Sequence, residues 1–108
     1  LAKIAGFEGC DLNFFQSNDE ALFLETLSKG WDGAIINPAA WTHTSLALAD
    51  RLKAIDLPFV EVHISNLAQR EEFRKHSHTA CHAKGVVYGL GFDSYLSGLL
   101  GLLLSLKS

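Results

Sequence analysis

The sequence predicts a three-layer α/β sandwich built on a parallel sheet, and two observations carry that expectation. Short apolar or β-branched runs alternate with stretches of helical spacing four times along the chain, and the connections between them are short. The runs are also nearly continuous in apolar residues, as strands become when both of their faces are covered. Parallel strands need crossover helices, which supply those covers.

The elements follow in order. Asp11 to Ser17 (DLNFFQS) reads as a strand, and Asn18 as the N-cap of a helix carried by Leu22, Phe23 and Leu27. Gly33 to Asn37 (GAIIN) is a second strand, stopped by Pro38, and Leu46, Leu48, Leu52 and Ile55 give the helix after it. Phe59 to Ile64 (FVEVHI) is a third strand by its β-branched content. Asn66, with Gln69 three residues on, resembles a capping pair opening a helix through Arg74. Gly85 to Tyr88 (GVVY) makes a fourth strand, and Phe92 to Leu106 a closing helix.

The resulting β-α-β-α-β-α-β-α order is flavodoxin-like, with one domain over residues 1–108. Leu1 to Ala5 reads as the tail of a helix whose beginning, and the strand before it, precede the chain. In the strand order 2-1-3-4-5 that strand lies inside the sheet, and its loss would leave two neighbours unpaired. An upstream unit of about 30 residues, the size of a βαβ beginning, is therefore expected.

Composition narrows the function classes. The 108 residues are 48% hydrophobic with a net charge of −3, which fits one compact domain and offers no clustered basic face for phosphates. Cys10 and Cys81 stand far apart without a repeating spacing, so a reducing, cytoplasmic setting is expected rather than a secreted disulfide framework. The most lipophilic stretch, Tyr95 to Leu106, falls short of the roughly 20 apolar residues that cross a bilayer, and reads as a buried or interface helix.

In an open parallel sheet the ligand crevice lies beyond the carboxyl ends of the strands. Here those ends carry Asn37 on one strand and Glu61, His63, Ile64 and Ser65 on the next. Strand alternation puts Glu61 and His63 on the same face. An imidazole oriented by a carboxylate suits a general acid for a departing hydroxyl, the alternative being a buried histidine satisfied for structure alone. The backbone N–H groups of Ile64 and Ser65 precede the next helix and point to an anion such as a carboxylate, although Ser65 and Asn66 also serve as caps. His43 and Asp50, seven apart, share nearly one helix face. Spacing alone favours a partly exposed first-turn histidine and a solvated Asp50–Arg51 pair. Arg70 and Arg74 have Glu71 and Glu72 beside them, so surface ion pairing is the ordinary reading. His76, His78, Cys81 and His82 do not match a usual zinc spacing, and no metal is expected.

Two blocks are more specific: INPAAWTHTSLAL, ending at Leu48, and VEVHISNLAQREEFRKHS, from Val60 to Ser77. Together with FQSN from Phe15, DGAIINP from Asp32 and AKGVVYGLG from Ala83, they resemble the type II 3-dehydroquinate dehydratases over essentially the whole chain. The resemblance implies an anti elimination of water from 3-dehydroquinate through an enolate, without cofactor, Schiff base or metal. It makes His63 the proton donor to the leaving hydroxyl, supported by Glu61, with Asn37 holding substrate and an ordered water. Ile64 and Ser65 would bind the carboxylate, His43 and Arg74 the ring hydroxyls, and Asp50 would reach a neighbouring subunit's site. It also implies a cytoplasmic dodecamer built from trimers, and the same site would serve shikimate biosynthesis or quinate catabolism. The family's base, a tyrosine on an N-terminal lid that also carries an essential arginine, has no counterpart in these residues. Trp41 stands where Tyr is common, and ACHAKG replaces SPxAxG. A second hypothesis is a truncated paralogue that binds cyclic hydroxy-acids as an oligomer without turnover. An intact mass above the 11.8 kDa of this chain would favour the enzyme.

Overall fold

The computed structural model describes residues 10–69 and 76–107. Among them, helix α1 (Glu20–Leu27) leads to strand β1 (Ala34–Ile36), the single turn α2 (Trp41–Thr44), helix α3 (Leu46–Ala54) and strand β2 (Phe59–His63). Two 3₁₀ turns, Leu67–Gln69 and Ala80–His82, precede strand β3 (Gly85–Tyr88) and helix α4 (Asp93–Lys107). The three strands run parallel in the order β1-β2-β3, with Ile36 opposite Glu61 and His63 opposite Tyr88. These are the last three strands of the expected order.

Alternation along β2 divides the core. Phe59 packs with Ile36, Leu27, Leu48, Leu52 and Leu57 on the side of α1 and α3, while Val60 and Val62 pack with Leu102 of α4 on the other. Two helical layers therefore enclose the sheet, as a flavodoxin-like α/β/α sandwich requires. Full burial of a side chain such as Phe59 or Leu48 stabilises by about 2–3 kcal/mol. Helix α3 begins at Ser45, whose hydroxyl accepts from Leu48 N at 2.9 Å.

Two expectations are corrected, and a third falls largely outside the described residues. Asp11 to Ser17 is irregular rather than a strand, and Phe14 is 82% exposed. A strand is held by its ladder and by cover on a face, and this run acquires neither among the described residues. The cap of α1 is Asp19, whose Oδ1 accepts from Leu22 N at 3.2 Å, one residue beyond Asn18. After Asn66, which caps through Ala68 N at 3.0 Å, the described backbone forms a 3₁₀ turn. The rest of the expected helix, Arg70 and Arg74 included, lies outside the described residues, as do Leu1 to Ala5.

Helix α4 comes so near the sheet that a Cβ on Gly98 would stand 2.8 Å from Val62 Cγ1 and 3.3 Å from Val60 Cγ1. Both obstacles are stiff β-branched side chains of the central strand. Gly98→Val is expected to destabilise by about 2–3 kcal/mol, read as a lowered thermal midpoint by circular dichroism. An unchanged midpoint would refute this close approach.

Candidate active site

Strand β2 ends in the side chains that matter. Glu61 and His63 are 1% and 4% exposed, and His63 Nε2 lies 2.7 Å from Glu61 Oε2. A buried carboxylate survives only if donors replace its lost water. Thr42 Oγ1, from α2, donates to Oε2 at 2.9 Å, and Thr79 Oγ1 donates to Oε1. Burial is the largest single influence on the Glu61 carboxyl and acts to raise it. The bonds from His63, Thr79 and Thr42 together outweigh burial and hold it below its ordinary 4.5.

A carboxyl depressed on folding contributes stability that is fully present above its ordinary value and is withdrawn as pH falls through the lower folded value. Unfolding midpoints measured by calorimetry are therefore expected to drop as pH falls below 4.5, and Glu61→Gln is expected to flatten that slope. An identical acid slope in the variant would show that other carboxyls carry it.

The backbone around this pair is shaped to leave an opening. Gly89 and Gly91, just past β3, adopt φ of +91° and +61° and donate to the carbonyls of His63 and Ile64 at 3.2 and 3.0 Å. A side chain at Gly89 would be strained and would stand 3.2 Å from Asn66 Cβ, so glycine belongs there. At the tip of β1, Asn37 Oδ1 accepts from Ala39 N at 3.0 Å, and Ala39 is held at φ +50°. A left-handed alanine costs about 1–2 kcal/mol, and such strain concentrates where a site must be shaped. Asn37 Nδ2 in turn donates to Tyr95 Oη at 2.8 Å, which brings α4 into the site.

Asn37, His43, His63, Ile64 and Ser65 converge on one open cleft of about 250 Å³, completed by Ala39, Ala40 and Leu67. The rings of His43 and His63 lie nearly parallel, with centroids 6.5 Å apart. His43 Nδ1 meets the His76 carbonyl at 2.6 Å. A carbonyl only accepts, so that nitrogen carries the proton. Glu61, unlike His63, is not among the cleft-lining residues. Asp50 is exposed on α3 and is not among the cleft-lining residues. Its neighbour Arg51 donates to Ser28 Oγ at 2.7 Å. Arg74 lies outside the described residues.

Sequence reasoning missed Thr42, Thr79 and Tyr95. Thr42 is one residue from a singled-out histidine, but hydroxyls carry little signal until the fold brings them to a buried charge. Among the described residues no cluster of three or more His, Cys, Asp or Glu could hold a metal. No helix there is long and apolar enough to cross a membrane.

Comparisons with known proteins converge on one family. The family described as dehydroquinase class II matches residues 1–103. The 3-dehydroquinate dehydratase of Polynucleobacter asymbioticus is 48% identical over 99 residues, which are 88% of this chain and 66% of that protein. The enzyme of the same name from Polynucleobacter necessarius is 44% identical, over 99% of this chain and 74% of its own length. Among solved structures, the type II dehydroquinase of Butyrivibrio crossotus superimposes with a TM-score of 0.78 at 38% identity, over 82% of this chain and 64% of that one. The chain thus spans about two thirds of the length of such relatives.

Proposed function

The chain belongs to the class II dehydroquinase family, and from that premise we propose that it forms the acid half and binding pocket of a hydro-lyase converting 3-dehydroquinate to 3-dehydroshikimate. The observation that carries this reading is the buried His63–Glu61 pair opening onto a cleft shared with Asn37, Ile64 and Ser65. Glu61 accepts from Nε2, so the ring's other nitrogen, Nδ1, is the one that serves the ligand. In its imidazolium form the ring gives the Nδ1 proton to the leaving hydroxyl and keeps the other on Nε2, hydrogen-bonded to Glu61.

Asn37 holds the substrate and an ordered water through the Nδ2 proton that Tyr95 does not take and the Oδ1 lone pair that Ala39 does not fill. The amides of Ile64 and Ser65 hold the carboxylate, and His43 and Arg74 contact the ring hydroxyls. Asp50, exposed on α3, is assigned to a neighbouring subunit's site within a cytoplasmic dodecamer of trimers. The general base is assigned to a tyrosine beyond these residues, on a lid that also supplies an arginine. Closing such a lid removes water and strengthens the electrostatics around the enolate. No cofactor is required, and the reaction serves shikimate biosynthesis or quinate catabolism.

The test is dehydration of 3-dehydroquinate by the full polypeptide, followed through the ultraviolet absorbance of the conjugated product, with intact mass and sedimentation on the same sample. Turnover by a dodecamer is the expected result. Binding of the substrate without turnover by a full-length protein would overturn the reading in favour of a binding module.

A further inference from the structure

Behind the His63–Glu61 pair lies a cluster of hydroxyls that the reaction does not touch. The segment 76–80 straps across α2: His78 N donates to the Thr42 carbonyl at 2.6 Å, and His43 Nδ1 donates to the His76 carbonyl at 2.6 Å. Between these two ties, Ser77 Oγ contacts Thr42 Oγ1, and Thr42 Oγ1 lies 2.8 Å from Thr79 Oγ1. Thr42 and Thr79 are both fully buried.

A hydroxyl has one proton and two acceptor sites. Ser77 Oγ receives the amides of Thr79 at 3.2 Å and Ala80 at 3.0 Å, which fill its acceptor sites and send its own proton to Thr42 Oγ1, the nearer of the two threonine hydroxyls. Thr42 and Thr79 pass theirs to the two oxygens of Glu61. Every donor in the cluster therefore runs from backbone amides towards the carboxylate, the one member with no proton of its own.

We propose that Ser77, Thr79 and Thr42 are positioning residues: they fix Glu61 as an anion with both oxygens oriented, which keeps a proton on His63 Nε2 and leaves Nδ1 as the nitrogen that delivers. This rests on the reading of His63 as proton donor. Were the hydroxyls absent, Glu61 would lose the donors that replace its water. The imidazolium would then give its Nε2 proton to the carboxylate, leaving a neutral ring protonated on Nδ1 beside the Nε2–H form, so that the cleft faces a mixture of tautomers and orientations. Among the described residues, the titratable groups facing Glu61 and His63 are each other and, across the cleft, the His43 ring.

The experiment uses the full polypeptide as wild type and as Thr79→Val, Thr79→Ser and Ser77→Ala. ¹⁵N spectra of the His63 ring give its tautomer directly, and steady-state kinetics give kcat and KM separately. The neutral wild-type ring is expected with its proton on Nε2. Thr79→Val is expected to mix the tautomers and lower kcat about tenfold, with KM within about twofold, because misplacing a proton donor costs transition-state stabilisation and not binding. Thr79→Ser, which keeps the hydroxyl, is expected to restore both.

If Thr79→Val does not fold, Ser77→Ala carries the test, because it removes the outermost hydroxyl and leaves Glu61's own partners in place; a loss in kcat of about threefold is expected. Unchanged tautomer and kcat in the foldable variants would overturn the proposal. So would a loss of kcat that Thr79→Ser fails to restore while the tautomer stays put. A wild type without dehydratase activity would sink the functional reading instead, and the ring spectra would still decide whether the cluster sets the tautomer.

Discussion

Replacing His63 by alanine is expected to lower kcat by about 10²–10⁴, the contribution of a positioned general acid, with KM changed no more than a few-fold. The asymmetry follows from the cleft. Asn37, His43, Ile64 and Ser65 line it independently of His63, so the ground-state contacts survive the truncation. What disappears is the proton for the departing hydroxyl, an interaction that strengthens only as the C–O bond breaks. Solution water does not replace it efficiently, because the imidazole it would have to mimic is buried and held 2.7 Å from a carboxylate. The measurement is steady-state kinetics beside substrate titration by calorimetry, with circular dichroism to establish that the variant is folded. Wild-type kcat in a folded His63→Ala would end the role of this residue as the acid; a large rise in Kd would move it to substrate binding.

How much of this was legible in the sequence depends on how local each signal is. Strand β2 and its buried Glu61–His63 pair were readable, because β-branched residues at Val60 and Val62 mark a strand and period-two alternation then pairs Glu61 with His63. The meeting of Asn37 with Ile64 and Ser65 was readable too, since parallel strands in one sheet present their carboxyl ends together. The hydroxyl cluster was not, because Thr42 and Thr79 are 37 positions apart and only their common approach to one carboxylate gives them meaning. Tyr95 is separated by 58 positions from Asn37 and was read only as a residue of the last helix. Asp11 to Ser17 misled for the opposite reason: Leu12, Phe14 and Phe15 have the composition of a strand, but composition supplies neither a neighbour nor a cover. Asn18 and Asp19 are both good caps, and the choice fell to the one whose carboxylate reaches Leu22 N.

Glu61→Ala is expected to destabilise the fold by about 3–5 kcal/mol, the scale for removing one partner from a buried charged network. The reason is not the lost attraction alone. His63 Nε2, Thr42 Oγ1 and Thr79 Oγ1 all aim protons at this carboxylate from positions with almost no exposure, and truncation leaves them facing a void. Each buried donor without an acceptor costs about 1–3 kcal/mol, which the neighbouring hydroxyls relieve in part by turning towards one another. Glu61→Gln isolates the charge from the volume. The amide fills the space and keeps one acceptor oxygen, but its NH₂ meets a donor on one side, so an intermediate loss of about 1–3 kcal/mol is expected. Chemical denaturation of the three proteins at neutral pH measures the series. Equal stability of the wild type and Glu61→Ala would mean that the carboxylate is dispensable to the fold, and that its three donors find other acceptors.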